Sequence, residues 1–308
     1  MFKDHDTLTA EHNFCIDIKD YKKKGKIGSG KYGYVIKAEN KKSKELFAIK
    51  YIPIENENDL SLQNIQREID ILIRCQHPII IKFHGYCKIF DPDSDTIKVA
   101  IVMDYAKNGS LLQYLNMIRK HKNADNTNLQ IILIGIAYGM KYLHENHIIH
   151  RDLSSKNILL DENLYPYISD FGLSKISEIG NSMEQSQTLF TPIYFPPEAF
   201  TSDKYSYNAD VYSFGIILYE VVTLLIPYIE IQETPSVYLI SKVAEEGIRP
   251  KFNEEDGHRI KPSLKNLIEL CWNQDPNQRP TFDQIVKMLA FNRESTNDQI
   301  DDKEQFKY

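Results

Sequence analysis

From Tyr21 to about Tyr105, apolar residues come in short runs broken by glycine or charged turns. The stretches "YKKKGKIGSGKYGYVIKAEN", "ELFAIKYI" and "KVAIVMDY" are rich in β-branched and aromatic residues and predict strands. One stretch keeps a different period. In "LSLQNIQREIDILIRCQ", Ile65, Ile69, Leu72 and Ile73 recur at i, i+4, i+7 and i+8, the stripe of a helix with one buried side. From about Ala106 the pattern turns helical. "NLQIILIGIAYGMKYLHENH" repeats Leu129, Ile132, Leu133, Ile136, Met140 and Leu143 on one face, and "YNADVYSFGIILYEVVTLL" and "SLKNLIELCWNQ" predict further helices. Asp203 and Asp210 lie near the start of the first of these, and Pro227 lies just beyond its end. "HKNADNTN" (121–128) and "DPDSDT" (91–96) read as polar loops.

Strands with one helix, followed by helices, predict an α+β chain with a small β-sheet lobe and a larger, mainly helical lobe. A cleft between two such lobes is where ligands tend to bind. The boundaries expected are a short lead-in at 1–20, a domain at 21–292 (small lobe to about 105, large lobe from about 106) and a polar tail at 293–308. The longest apolar run, "FGIILYEVVTLLIPYI" (214–229), is interrupted by Glu220 and is too short for a membrane span, so it predicts a buried core helix.

Charge and cysteine usage narrow the class. Lys+Arg is 37 against Asp+Glu 43, a net charge of −6 that argues against a nucleic-acid partner. Cys15, Cys75, Cys87 and Cys271 are widely spread and form no CxxC pair, so they read as reduced thiols of an intracellular protein. No signal peptide opens the chain, Phe2 excludes a myristoylated glycine there, and "QFKY" is no prenylation box. A soluble chain in the cytoplasm or nucleus is expected.

The chemistry begins at "IGSGKYGYV" (27–35), which spaces Gly28, Gly30 and Gly33 as GxGxxG. Glycine lets a backbone approach phosphates closely. A dinucleotide fold uses the same letters, but there the glycines open a helix, with an acidic residue about 20 positions later. Here "YGYVIKAE" continues as a strand and "FAIK" follows, which fits a glycine flap between two strands with Lys50 on the next. Glu68, on the predicted helix, is a partner able to fix that lysine, although alone it would read as part of a solvated helix face. Asp152 and Asn157 stand five residues apart in "HRDLSSKN", and Asp170 follows in "ISDFG".

In this order and spacing, with "PPE" at 196–198, the motifs resemble a eukaryotic protein kinase domain, closest to the tyrosine-kinase-like group. The resemblance covers Tyr21 to Asn292 and implies the bilobal protein kinase fold, with ATP and Mg²⁺ as cofactors and a protein as substrate. It implies that Gly28, Gly30 and Gly33 cover the ATP phosphates, with Ile27 and Ser29 also among the nucleotide-binding residues, and that Lys50, paired to Glu68, holds the phosphates. Asp152 would orient the acceptor hydroxyl, while Asn157 and Asp170 would ligate Mg²⁺. Val35, Ala48 and Leu159 match the family's adenine sandwich, Met103 its gatekeeper, and Asp104 to Ala106 its hinge. Asp210, and the pair Glu198 and Arg279, match structural supports.

Lys50, Asp152, Asn157 and Asp170 are all present, which favours an active enzyme over an ATP-binding scaffold. The acceptor type is read from two places. Ser/Thr kinases usually carry lysine two residues after the catalytic aspartate; here that position is Ser154, and Lys156 is the nearby cation. "FTPIYFPPE" places Thr191 as Ser/Thr kinases do, while Phe190 and Pro196 depart from the usual glycine and alanine. A Ser/Thr kinase is expected, with dual specificity as the alternative. Arg151 could pair with a phosphate placed on Ser182, Ser186 or Thr188 by an upstream kinase or by autophosphorylation.

Overall fold

The computed structural model describes residues 14–30, 33–54, 60–91, 96–121, 126–176, 192–201, 206–231, 236–252 and 260–294. The chain divides into two compact units, one running up to Lys107 and including Ser169–Leu173, the other holding Asn108–Ile168 and the chain from Ser174 on.

The first unit is built on a five-stranded antiparallel sheet of β1 (Tyr21–Gly30), β2 (Gly33–Asn40), β3 (Leu46–Ile54), β4 (Phe83–Asp91) and β5 (Thr96–Asp104), in the order β1-β2-β3-β5-β4. Among the described residues, α1 (Leu60–Arg74) is the α-helix of this unit, in keeping with its 3.6-residue stripe. Pro53 is tolerated in β3 because the β2 register ends at Tyr34↔Tyr51, so beyond it β3 needs only its β5 partner. One sheet face buries Ile36, Ala38, Phe47, Ile49, Tyr51, Ala100 and Val102, with Ile16 and Ile18 packed against them. The end of the expected lead-in is therefore part of the fold. Ile16 N–H donates to Tyr86 O at 3.1 Å, and Phe14 packs on Phe83. Gly85 admits this approach: a Cβ there would lie 2.5 Å from Ile16 Cγ2 and 2.7 Å from Phe14 O.

The second unit contains α2 (Leu111–His121), α3 (Asn126–Glu145), α4 (Glu198–Thr201), α5 (Tyr207–Thr223), α6 (Ser236–Glu245), α7 (Pro262–Cys271) and α8 (Phe282–Glu294). Two small antiparallel sheets complete it: β6 (Ile148–Ile149) with β9 (Lys175–Ile176), and β7 (Ile158–Leu160) with β8 (Pro166–Ile168). The predicted core helix is α5, buried around its circumference, so its sequence is mainly apolar on every side, with Asp210 and Glu220 as buried acids. It ends where Leu224 turns left-handed (φ 57°) and its N–H donates to Glu220 O. Helix α8 runs to Glu294, past the expected domain end at 292. Among the described residues, no helix is long and apolar enough to cross a membrane.

Candidate active site

In the first unit, the sheet face opposite the apolar one carries the chemistry. Ladder partners share a face, and the ladder sets Gly28 beside Val35, Val35 beside Lys50, Lys50 beside Ile101 and Ala48 beside Met103. The glycine motif spans β1 and β2: Ser29 pairs with Tyr34, and Gly30 with Gly33. Ile27 is exposed, whereas Ala48, Met103 and Ala106 are buried. Gly33 has φ 136°, and a Cβ on it would lie 1.9 Å from Tyr51 O, so a side chain would force β2 and β3 apart. Asp104 closes β5, where its Oδ1 sits 2.6 Å from His84 Nε2.

Lys50 is the centre of this face. Its Nζ donates to Glu68 Oε1 (2.7 Å), Glu68 Oε2 (2.9 Å) and Asp170 Oδ1 (2.7 Å). Burial by itself would lower the lysine's pKa, but the charges of Asp170 and Glu68 outweigh it and hold the pKa above its usual value. Burial pushes the Glu68 carboxyl upward, Lys50 draws it back, and Asp170 pushes it up again. With both Glu68 oxygens bonded to Lys50, the cluster holds a charged lysine between two carboxylates. Asp170 is in the left-handed region (φ 67°), a conformation that side chains seldom adopt and that folds retain at functional positions.

In the second unit, the loop 150–157 is organised from below by Asp210 on α5. The buried Asp210 carboxylate accepts from His150 N–H (2.8 Å), Arg151 N–H (2.9 Å) and His144 Nε2 (2.9 Å). These bonds fix the loop while Arg151 takes φ 69°. Asn157 donates its side-chain amide to Asp152 O and to Asp152 Oδ2, both at 2.8 Å, so the two predicted residues form one assembly. Leu159 follows on β7 and is half-buried. Ser154 is fully buried and its hydroxyl has no hydrogen-bond partner among the described residues, while Lys156 is exposed.

The expected support pair forms. Arg279 Nη1 and Nη2 meet Glu198 Oε1 and Oε2 at 2.6 and 2.7 Å, a bidentate fork with the arginine buried. Ser182, Ser186, Thr188, Phe190 and Thr191 lie outside the described residues. Sequence reasoning missed a second buried assembly next to the loop, in which Ser155, Tyr194 and Glu220 share hydrogen bonds. Its one visible sign was the acidic residue interrupting an apolar helix.

Comparison with known proteins agrees with this geometry. The chain is 32% identical over 275 residues to the serine/threonine-protein kinase STY17 of Arabidopsis thaliana, an alignment covering 89% of this chain and 45% of that protein. It is 36% identical over 279 residues to the probable serine/threonine-protein kinase drkA of Dictyostelium discoideum, covering 89% of this chain and 40% of that protein. For the probable serine/threonine-protein kinase drkB of the same organism the identity is 35% over 276 residues, with 89% and 37% covered. The chain thus spans less than half the length of these relatives. The family model described as the protein kinase domain matches residues 21–291, nearly the whole of the chain in which these two assemblies lie, and the chain belongs to the protein kinase domain family.

Proposed function

We propose that the chain is a Mg²⁺-dependent protein kinase that transfers the γ-phosphoryl group of ATP to serine and threonine hydroxyls of protein substrates. The observation that carries this reading is Lys50 held charged by Glu68 and Asp170 at 2.7–2.9 Å. A fixed cation with an adjacent carboxylate is what a triphosphate and its metal require. The donor set suits Mg²⁺: it is a hard cation that takes oxygen ligands from one or two side chains and completes its shell with water and substrate phosphates. Asp170 supplies a carboxylate, half of whose side chain is accessible, and Asn157 an amide oxygen. In keeping with that mode, no group of three or more His, Cys, Asp or Glu among the described residues is assembled as a metal cage.

Within this reading, Lys50 binds phosphate oxygens and Glu68 keeps it in place. Gly28, Gly30 and Gly33 bring β1 and β2 backbone close to the phosphates, and Val35, Ala48, Met103 and Leu159 contact the base, with Asp104 to Ala106 bonding its edge. Bound Mg²⁺ supplies neutralisation of phosphate charge. Asp152, steadied by Asn157, accepts the hydrogen bond of the acceptor hydroxyl and turns its oxygen toward the phosphorus. Serine and threonine acceptors are supported by the names of the relatives and by the "FTPIYFPPE" segment. A location in the cytoplasm or nucleus belongs to the same proposal and is supported by four cysteines that are all free thiols.

The test is transfer of labelled γ-phosphate from Mg-ATP to a mixed peptide library, followed by phosphoamino-acid analysis, with Asp152→Asn as control. Label on serine and threonine that disappears in the control is the expected result. Label on tyrosine as well makes the enzyme dual-specific, and ATP binding without transfer makes it a scaffold.

A further inference from the structure

The loop that carries Asp152 is tied to its surroundings at Ser155 by more than backbone. Ser155 is fully buried, its carbonyl accepts from Leu112 N–H at 2.9 Å at the start of α2, and its Oγ lies 2.7 Å from the Tyr194 hydroxyl. That hydroxyl donates to Glu220 Oε2 at 2.6 Å. A tyrosine has one hydroxyl proton, so with that proton directed to Glu220, Ser155 is the donor of the other bond. Tyr194 is also held at its carbonyl, by Ser213 Oγ at 2.9 Å. The carboxylate at the end of the relay is 1% exposed, and Arg119 Nη2 lies 3.8 Å from its Oε1. Arg119 in turn donates to Leu224 O and Leu225 O at 2.7 Å, just past the end of α5.

Burying a carboxylate in a mainly apolar helix is a poor way to gain stability, because desolvation offsets most of the attraction it gains. A fully bonded buried network does something else: it specifies one arrangement of the segments it joins. The segments joined here are the 150–157 loop and the turn at Pro192–Tyr194. Of the chain tied to that loop, Asp210 belongs to a buried helix and Leu112 opens another. The turn differs: Pro192 and Ile193 are only half-buried, so a polypeptide acceptor can lie along it.

We propose, on the reading of the chain as a protein kinase, that Ser155 is a positioning residue for phosphoryl transfer. Through Tyr194 and Glu220 its hydroxyl holds the 192–194 turn in register with the loop, so that an acceptor lying on the turn meets Asp152 in one geometry. Burial raises the Glu220 carboxyl pKa, and Tyr194, Arg119 and Ser155 oppose that rise, so each of these partners favours the ionised carboxylate.

Steady-state kinetics with a serine peptide and Mg-ATP test this, using Ser155→Ala, Tyr194→Phe, their double variant and Ser155→Thr. The expected result is a fall in kcat of about tenfold in each single variant, with the KM for ATP unchanged within about twofold. The double variant should be no slower than the slower single, because both changes break one relay. Ser155→Thr, which keeps the hydroxyl, should restore kcat. Unchanged kcat in Ser155→Ala, or losses that multiply in the double variant, overturns the proposal. If Ser155→Ala does not fold, Tyr194→Phe and Ser155→Thr decide it alone: wild-type kcat in the first, or a tenfold loss in the second, overturns it. Absence of transfer by the unaltered protein overturns the kinase reading and this inference with it, an outcome separate from normal transfer by both protein and variants.

Discussion

Two carboxylate clusters, one in each unit, are held in different ways. Around Lys50, charge faces charge: one ammonium serves Glu68 and Asp170, and the group it favours is a charged lysine. Around Asp210, a carboxylate with no exposed surface is met by two backbone N–H groups and a histidine ring. The first arrangement joins ions whose partners can be exchanged. The second fixes backbone and has nothing to exchange.

The sharpest way to break this contrast is Lys50→Ala. It should lower kcat/KM for peptide phosphorylation by about 10²–10³-fold, the scale of removing one preorganised charge-stabilising group. A loss under tenfold would mean that the Lys50 cluster is scaffolding like the other. Asp210→Ala should show the reverse balance. It leaves the His150 and Arg151 N–H groups without their acceptor, at about 1–3 kcal/mol each, so thermal melting should fall by several degrees while the affinity for ATP is kept. Weaker ATP binding at an unchanged melting temperature would reverse the assignment. Glu68→Gln is milder, since Asp170 still holds the lysine; a fall in kcat/KM of about tenfold is expected in the same assay.

Two smaller effects sharpen the picture. Lys50 is held above its ordinary value, so what its ion pairs contribute to stability is complete below the unfolded lysine's pKa of about 10.4 and is lost only as pH rises past the folded value. Between about pH 6 and 9 the melting curve of the protein should therefore carry no titration step from Lys50. Burial pushes the Cys75 and Cys87 thiols up to about 11 and raises Cys271 further, whereas Cys15 is exposed. Brief alkylation near pH 8 followed by peptide mapping should label Cys15 first.

Much of this was readable in the chain because strand alternation and helical periodicity survive in short windows. The Gly28–Gly33 spacing, the strand ending in Lys50, the helix carrying Glu68 and the Asp152–Asn157 interval each depend on residues close in sequence. What escaped depends on distance or on mixed signals. Strand β4, "FHGYCKIFD", carries a histidine, a glycine and a lysine that blur its alternation. Tyr194 and Glu220 lie 26 residues apart, and an acidic residue in an apolar helix signals burial with a partner without naming that partner. The segment before Tyr21 read as a lead-in because its alternation, Phe14, Ile16 and Ile18 between polar residues, is only a few residues long.

That segment bears on where the folding unit begins. Family similarity starts at Tyr21, yet β4 is an edge strand of the sheet, and the backbone that covers its edge at Tyr86 comes from Cys15 and Ile16. A protein trimmed to its recognised homology would leave that edge open and uncover the apolar face on which Ile16 and Ile18 rest, a surface primed for self-association. The evolutionary boundary and the physical one differ, and soluble expression should follow the physical one.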